Sequence, residues 1–344
     1  MNPYALSIIT SSLALGTITV LSSFHWILAW IGLEINTLAI IPLMTKNPHP
    51  RSIEAATKYF LTQAAASALI LFSSILNAWT LGEWTINNLM NPISMILLSI
   101  AISTKLGLAP FHFWMPEVLQ GLTLQTGWIL STWQKLAPLA ILIQLSQSVN
   151  LTLMLILGLL SILIGGWGGI NQNQIRKILA FSSIAHLGWM ITILKISPQL
   201  SILNFSLYVI MSSTLFYTFI IINSTNISQL ATTWTKIPAL TAFSLLSLLS
   251  LSGLPPLTGF LPKWLITQEL IKQDLIILSF MMLMLTLLSL FFYLRLTYTI
   301  SLTMAPNSTL SISLWPFKKK NNLTLFILLT LCLLPISPSI LYLI

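Results

Sequence analysis

Apolar runs of about twenty residues recur along the chain, and they restrict its possible folds more than any other feature. The run at 25–44, HWILAWIGLEINTLAIIPLM, is typical and contains one carboxylate. A helix of about twenty residues spans the roughly 30 Å hydrocarbon core of a bilayer. Lipid offers the backbone no hydrogen-bond partners, and a helix satisfies its own. The sequence therefore predicts an all-α fold, a polytopic bundle of transmembrane helices.

Composition excludes a soluble domain and supports a single membrane domain over 1–344. Of the 344 residues, 56% are hydrophobic and 6% are charged, with a mean hydropathy of +0.91, whereas soluble domains carry about a quarter charged residues. Polar and proline-bearing segments divide the chain into about eleven predicted spans. The ninth is too long and too rich in proline for one straight helix, so we predict two half-helices joined by a break. The spans lie near 3–22, 25–44, 55–79, 92–110, 123–148, 151–170, 174–196, 200–223, 238–270, 275–300 and 323–343.

Basic residues gather at one of the two predicted membrane faces. Because lysine and arginine near span ends are held on the inner side, we expect the amino terminus inside and the carboxyl terminus outside. The same asymmetry accounts for the net charge of +9, so nucleic acid binding is not needed to explain it. One face receives Lys46, Arg51, Lys58, Arg176, Lys177, Lys236, Lys318, Lys319 and Lys320, and the other receives Lys195 and Lys272.

Few residues could hold a cofactor, and we expect neither cofactor nor metal in this chain. Cys332 is the single cysteine, which excludes a disulfide framework and an iron–sulfur cluster held by this chain alone. The run GGWGG at 165–169 lacks the Lys-Ser/Thr ending of a phosphate-binding loop and predicts close helix packing or a flexible end instead. Haem is disfavoured because the histidines fall singly on different segments, namely His25, His49, His112 and His186.

Four ionisable side chains lie well inside predicted spans: Glu34, Lys105, Lys135 and Lys263. An ionised side chain at mid-bilayer costs roughly 2.5–3.5 kcal/mol on insertion scales, and such residues commonly form proton relays or ion pathways. Two structural alternatives stay open. A lysine can extend its ammonium to the interface, and a Glu/Lys pair can serve only to set helix register.

Glycine and proline interrupt one span in each half of the chain, next to a lysine. Gly107–Pro110 follows Lys105, and Gly253–Pro256 precedes Lys263. Interrupted spans in matching positions of two halves indicate the repeats and the central pathway of a transporter. The irregular backbone is tolerated where it is buried in protein or lines a hydrated cavity. The alternative is that both breaks are proline kinks used for packing.

Two histidines lie where a proton relay would need them. His112 follows the first break, and His186 lies within FSSIAHLGWM among small polar residues. Imidazole exchanges protons near neutral pH. The alternative for each is a buried histidine that bonds a carbonyl, whereas His25 and His49 are predicted to be interfacial.

Three motifs together resemble one known family. They are KLGLAPFHFWMPEVLQG from Lys105, IGGWGGINQNQIRKILAFSSIAHLGWM from Ile164, and LSGLPPLTGFLPKWLI from Leu251. Over essentially the whole chain, they resemble the chain 2 family of mitochondrial NADH:ubiquinone oxidoreductase (respiratory complex I), an antiporter-like subunit of the membrane arm. The resemblance implies two inverted repeats with a broken helix in each, here approximately 1–148 and 151–300, followed by a carboxyl-terminal span at 323–343.

The resemblance also implies roles for the buried charges. Glu34 matches the family's essential helix glutamate, and Lys105 matches its partner lysine at the first broken helix. Lys135 matches the connecting lysine, and Lys263 the lysine at the second broken helix. Energy from NADH-to-ubiquinone electron transfer in other subunits would then drive protons through this chain across the inner membrane.

His112 and His186 also fall within motifs of the family and are predicted as further relay groups. The resemblance implies a multi-pass protein of the mitochondrial inner membrane, with its amino terminus in the matrix and its carboxyl terminus towards the intermembrane space. The expected partners are other complex I membrane-arm subunits, including neighbouring antiporter-like subunits, and membrane lipids. NADH, FMN, iron–sulfur clusters and ubiquinone are implied in partner subunits.

Three other functions remain possible at the level of sequence. A free-standing cation/proton antiporter shares buried lysines and broken helices, but the chain shows no extra carboxylate cluster for a sodium site. A structural or assembly subunit would carry the same charges without a proton path. A quinone-binding redox subunit is disfavoured because the chain has no redox centre of its own.

Overall fold

The computed structural model describes residues 2–86, 91–235 and 238–302, together with residues 327, 330 and 331. Within these ranges the chain forms fourteen α-helices and one short 3-10 turn at 233–235, and no β-strand is found there. The prediction of an all-α, membrane-type helix bundle is confirmed. Five of the helices begin with proline, whose fixed φ suits a first helical position and whose missing N–H would have no partner there.

The first compact unit comprises Met1–Ser161 and Leu194–Pro198. Its core holds fully buried Trp26, Ile40, Ile70, Leu98 and Ile102. The first two helices pack closely, and the third helix, Pro50–Leu81, is longer than a bilayer requires. The helices are α1 (Pro3–Ser22), α2 (Trp26–Met44), α3 (Pro50–Leu81), α4 (Pro92–Leu106), α5 (Trp114–Gly121), α6 (Leu124–Ser131), α7 (Trp133–Gln144) and the first half of α8 (Leu151–Ile170).

The second compact unit comprises Ile162–Ile193 and Gln199–Ile344. In the glycine run of α8, Gly165 lies against Ala185 and Gly169 lies against Phe292. The predicted use of GGWGG in close helix packing is therefore confirmed. The helices of this unit are the second half of α8, α9 (Ile175–Leu194), α10 (Pro198–Ile222), α11 (Ile227–Ala231), α12 (Pro238–Ser252), α13 (Phe260–Lys272) and α14 (Ile276–Ser301).

Apolar side chains cover much of the outer surface of these helices. On α14, Ile277 is 82% exposed and Phe280 is 58% exposed. Such faces are costly in water and favourable in lipid or against another apolar surface. The described residues include seven helices long and apolar enough to cross a membrane, which supports a multi-pass membrane protein.

The predicted count of eleven spans is not confirmed. The predicted span at 323–343 lies outside the described residues, apart from three isolated positions. The predicted span at 92–110 ends as a helix at Leu106, and the predicted pair of half-helices at 238–270 is found as α12 and α13. The predicted span at 123–148 is not one helix, because Thr132 separates α6 from α7.

Hydroxyl groups that bond the preceding turn accompany the interruption at Thr132. Both Ser131 and Thr132 donate their side-chain hydroxyl to the carbonyl of Trp128, at 3.0 and 2.7 Å. Such bonds back to the preceding turn bend helices. Pro138 also lacks the N–H that would bond the carbonyl four residues earlier. The sequence contained both signals, but neither predicts the position of the break.

The same backbone pairing occurs once in each unit. In the first unit, the turn before α2 pairs with the segment after α3 through Trp26 N–H to Trp84 O and Ile86 N–H to Phe24 O, each 3.1 Å. In the second unit, the turn before α9 pairs with the segment after α10. There Ile175 N–H donates to Thr225 O at 3.0 Å, and Ile227 N–H donates to Asn173 O at 3.2 Å.

Candidate functional site

Glu34 lies in the middle of α2, partly buried between α2 and α3. Its carboxylate accepts hydrogen bonds from the hydroxyl of Thr37 at 2.8 Å and from the hydroxyl of Ser67 at 3.1 Å. Thr37 is one turn further along α2, and Ser67 belongs to α3. Two hydroxyl donors can stabilise a carboxylate away from water, so the structure supplies a defined environment for this charge.

Lys105 and Lys135 line one internal cavity, which we call the lysine cavity. Lys105 is 6% exposed and Lys135 is 3% exposed. The volume of the cavity that is open to water is about 20 Å³. That is enough for about one or two waters. Its polar lining also includes Asn36, Thr37, Tyr59, Gln63 and Gln134.

Several polar atoms of this lining have no hydrogen-bond partner within the described chain. They are Nζ of Lys105, Nδ2 and Oδ1 of Asn36, and Nε2 of Gln63. A buried polar group without a partner costs about 1–3 kcal/mol, and more if it is charged. Ordered water commonly satisfies such groups when the site is polar and large enough. The lining is therefore suited to hold water beside Lys105.

Glu34 and Lys105 do not form an ion pair. The ion pairs found among the described residues are Lys58–Glu54, Lys58–Glu117 and Lys272–Glu269. The partnership of Glu34 and Lys105 that the family resemblance implies therefore stays a prediction.

The first break directly follows Lys105, which lies in the last turn of α4. Gly107 ends the helix with a φ of 77°, and the N–H of Leu108 bonds the carbonyl of Ser103 at 3.0 Å. This is the pattern of a Schellman motif. Across the break, the indole N–H of Trp114 donates to the carbonyl of Thr104 at 3.0 Å. The predicted break is confirmed, and protein groups satisfy part of its freed backbone.

His112 lies within this break and is 5% exposed. Its imidazole hydrogen-bonds the carbonyl of Pro110, and its ring centroid lies 4.4 Å from that of Phe113. This arrangement matches the alternative of a buried histidine that bonds a carbonyl.

Lys263 lies in the first turn of α13, after the second break. Its ammonium donates to the carbonyl of Ser252 at 2.6 Å, so it caps the last turn of α12 across the break. A cation at the carboxyl-terminal end of a helix is favoured by the helix dipole. The two lysines therefore lie on opposite sides of their breaks, Lys105 before and Lys263 after.

Gly253 makes room for the Lys263 side chain. It has a φ of +83°, and a Cβ built on it would lie 2.6 Å from Nζ of Lys263. We expect Gly253→Ala to lower the stability of the assembled protein by about 1–2 kcal/mol from backbone strain, and further by displacing the lysine. Thermal inactivation half-lives of the purified assembly measure the loss.

Gly82→Ala is the matched control for Gly253→Ala. Gly82 has a φ of +74°, and a Cβ there would meet nothing within 4 Å. The two variants share the backbone strain, so a larger loss for Gly253→Ala measures the contact with Lys263. Equal losses would show that Lys263 does not depend on this space.

His186 is buried on α9, in the second unit. Its ring centroid lies 5.5 Å from that of Tyr208 on α10. Tyr208 and Tyr293 are each 2% exposed. The imidazole of His186 thus lies beside the buried phenol of Tyr208, and a second buried phenol belongs to the same unit.

Sequence reasoning missed several residues of the lysine cavity. Asn36, Gln63 and Gln134 were available as amide side chains within apolar spans. They could have been singled out by the rule that identified the charges, since buried polar groups need partners. Tyr59 could not have been singled out from the sequence, because an aromatic residue in a membrane helix has no distinctive pattern.

Arg295 is a further charge within a predicted span that was not singled out. Its guanidinium donates to the carbonyl of Ile170 at 2.7 Å and to Oδ1 of Asn173 at 3.2 Å. It therefore caps the end of α8, and this contact explains the charge without a proton path.

Comparisons with known proteins show the family to which the chain is similar. The family model described as NADH:quinone oxidoreductase/Mrp antiporter, TM, matches residues 23–289, and the model of the NADH dehydrogenase subunit 2 C-terminus matches residues 290–341. NADH-ubiquinone oxidoreductase chain 2 of Aquarana catesbeiana is 61% identical, with 100% of both chains covered.

Solved structures of two assemblies share the fold. A chain of respiratory complex I from Thermus thermophilus superposes with a TM-score of 0.85 at 26% identity, covering 97% of this chain and 78% of that chain. A chain of the Mrp complex from Dietzia sp. DQ12-45-1b superposes with a TM-score of 0.79 at 18% identity, covering 87% and 61%, and so shares the fold alone. The chain described here belongs to the NADH:quinone oxidoreductase/Mrp antiporter family, and within it to the NADH-ubiquinone oxidoreductase chain 2 group.

Proposed function

We propose that the chain is a proton-translocating subunit of the membrane arm of respiratory complex I, with the lysine cavity as part of its proton path. The observation that carries this proposal is the convergence of Lys105 and Lys135 on one polar cavity inside an apolar bundle. Two titratable amines beside unpartnered amide groups are costly in a membrane protein. A purely structural role offers no reason to retain them.

In the first unit, Lys105 is the group that alternates between ammonium and free amine. Its Nζ faces the cavity and lacks a fixed partner in the described chain, so either protonation state can be hydrated there. Glu34 favours the ammonium form electrostatically, because opposite charges stabilise each other. A change in the charge of Glu34 would then release the proton of Lys105 towards Lys135. Coupled groups of this kind titrate as a set.

In the second unit, Lys263 and His186 are the proposed proton-transfer groups. Two correspondences between the units support an origin as two repeats, approximately 1–148 and 151–300. One is the backbone pairing between turns that occurs in each unit, and the other is the glycine-led break in each. Interrupted helices in matching positions are typical of transporters built from repeats.

The assembly and its location follow from the family. We propose that the chain lies in the mitochondrial inner membrane with its amino terminus in the matrix and its carboxyl terminus towards the intermembrane space. Its neighbours would be other membrane-arm subunits, including antiporter-like ones, and lipid. NADH, FMN, iron–sulfur clusters and ubiquinone would belong to partner subunits, whose electron transfer supplies the energy.

Replacing Lys135 with methionine tests the proposed path. The variant keeps the length of the side chain and removes its exchangeable proton. We expect the proton pumping rate per assembled complex to fall several-fold in reconstituted vesicles, because transfer beyond Lys105 loses its acceptor. Lys272→Met is the control, since Lys272 is exposed and pairs with Glu269 three residues away. Its pumping rate should equal that of the native complex.

The same experiment separates the alternative functions. If Lys135→Met pumps at the native rate in a fully assembled complex, the chain is a structural subunit and the proposed path is wrong. Cation-driven proton exchange by the chain without NADH oxidation would favour a free-standing antiporter. Photolabelling beside His112 by a quinone analogue would favour a quinone-binding subunit.

A further inference from the structure

The two breaks can be compared position by position. Each begins with Gly-Leu-x-Pro, at Gly107 and at Gly253, and the following helix begins seven residues after the glycine, at Trp114 or at Phe260. A proline occupies the third position of both helices, and an ionisable residue follows it. That residue is Glu117 in the first unit and Lys263 in the second.

Glu117, rather than Lys105, is therefore the positional counterpart of Lys263. Lys105 lies two residues before its glycine, where the second unit has Leu251. An ionisable group in the first turn after the break is thus present in both units, with opposite charge. The function of the lysine cavity does not account for Glu117.

Glu117 forms an ion pair with Lys58 on α3, with 2.7 Å between Oε2 and Nζ. The same ammonium lies 2.7 Å from Oε1 of Glu54, one turn earlier on α3. The side chains of Lys58, Glu117 and Glu54 are 42%, 53% and 61% exposed. Two exposed carboxylates therefore share one lysine where α5 meets the start of α3.

A second pocket opens to the surface beside this cluster. We call it the α3–α5 pocket, and its polar lining is Arg51, Glu54, Lys58, Glu117 and Gln120. Gly121 brings the end of α5 against α3, because a Cβ there would lie 2.6 Å from the carbonyl oxygen of Arg51. The close approach of the two helices places Glu117 within reach of Lys58.

The α3–α5 pocket and the lysine cavity are lined by the same two helices. On α3, Lys58 lines the pocket, whereas its neighbour Tyr59 and then Gln63 line the cavity. On α5, Trp114 lines the cavity and Glu117 lines the pocket. The rings of Tyr59 and Trp114 meet edge to face with centroids 5.6 Å apart. Both rings belong to the lining of the lysine cavity, and each is close in sequence to a residue of the α3–α5 pocket.

We propose that the α3–α5 pocket is the aqueous proton entry of the first unit, with Glu117 as its proton-accepting group and the Tyr59–Trp114 contact as its inner barrier. This inference rests on the proposed function and adds the route by which protons reach it. The lining is neutral overall, since Arg51 and Lys58 balance Glu54 and Glu117, and the half-exposed carboxylate of Glu117 is in contact with bulk water, from which it can take up a proton.

The transfer is a movement of one proton and needs no redox partner. Hydronium gives its proton to the carboxylate of Glu117, which becomes a carboxylic acid and releases water. Lys58 keeps its charge paired during this step, because Glu54 still contacts its ammonium. The proton then passes the aromatic contact by way of water or the Tyr59 hydroxyl and protonates the free amine of Lys105.

Glu117→Gln tests the proposal in the assembled complex reconstituted into vesicles. The amide keeps the size of the side chain and cannot accept the proton, so we expect proton uptake to slow several-fold, because a proton-transfer group is lost. Uptake should also become first order in hydronium concentration, because protons must then reach Lys105 directly. Glu117→Asp should restore most of the native rate.

Glu269→Gln is the matched control, since Glu269 also pairs with a lysine, at 2.6 Å, on the surface of the second unit. The Glu269→Gln complex should take up protons at the same rate as the native complex and with the same pH dependence. If Glu117→Gln also shows native uptake while Lys135→Met is defective, the entry proposal is wrong and the proposed function stands. If both variants pump at the native rate, the proposed function itself fails. A slow Glu117→Gln variant with a native pH profile would assign Glu117 a structural role and overturn the proposal.

Discussion

Lys105→Met is expected to reduce proton pumping about a hundredfold, the lower range for loss of a proton-transfer group. Lys105 is the lysine of the cavity whose Nζ is buried and lacks a hydrogen-bond partner in the described chain. Methionine has a similar length and reach but carries no proton at physiological pH. Pumping and NADH oxidation, measured together on reconstituted complex, give the result.

Assembly of this variant should be at least as good as that of the native protein. Removing one member of a buried ion pair is destabilising because it leaves the other charge unpaired. Here no such pair exists, since Glu34 is bonded to Thr37 and Ser67 instead. Losing the ammonium therefore removes a desolvation cost. The amount of intact complex per milligram of membrane protein measures this.

Leu106→Met is the control for Lys105→Met, because Leu106 also lines the cavity and is the next residue of α4. It tests whether a methionine at this helix end is tolerated, and pumping should remain native. A Lys105→Met complex that assembles fully and still pumps at the native rate would remove Lys105 from the proton path.

Gly259→Ala is expected to prevent assembly of the protein. Gly259 precedes α13 and has a φ of −67° and a ψ of −14°, a conformation that alanine adopts without strain. The obstacle is space, since a Cβ on Gly259 would overlap the carbonyl oxygen of Ser250 in α12. Neither atom is at the end of a flexible side chain, so the two half-helices must separate. Immunodetection of the chain in native gels of the complex would show the loss.

Gly82→Ala separates this effect from a general intolerance of alanine. The backbone conformation of Gly82 is less favourable for alanine than that of Gly259, yet the surroundings of Gly82 are open. Gly82→Ala should therefore assemble and Gly259→Ala should not. Assembly of both in equal amounts would mean that the second break can widen without cost, contrary to the close contact of α12 and α13.

Local features of the sequence predicted both breaks correctly. Gly107 and Gly253 adopt positive φ, which glycine accepts at little steric cost, and the prolines after them exclude a continuing helix. These effects act within a few residues, so they can be recognised without the tertiary structure. The interruption at Thr132 was missed because helices tolerate hydroxyl side chains in many places and bend at few of them.

The partners of the buried charges could not be predicted in the same way. Glu34 and Lys105 are consistent in sequence with a direct ion pair, yet the carboxylate is bonded to hydroxyls of α2 and α3. Lys263 bonds the carbonyl of Ser252, a contact that depends on the path of the backbone through the break. The family resemblance supplied candidate residues, but distances between side chains depend on how helices pack.

The sequence by itself determined that the chain lies in a lipid bilayer and that its fold is helical. It also determined where two helices break and which ionisable groups are candidates for the site. Those properties depend on apolar run length, on glycine and proline, and on the cost of charge in lipid, all of which are local. The tertiary structure alone decided that Lys105 and Lys135 share a cavity with Asn36 and Gln63, and that Glu117 meets Lys58. These contacts join residues far apart in sequence, and the rotation and spacing of packed helices determine them.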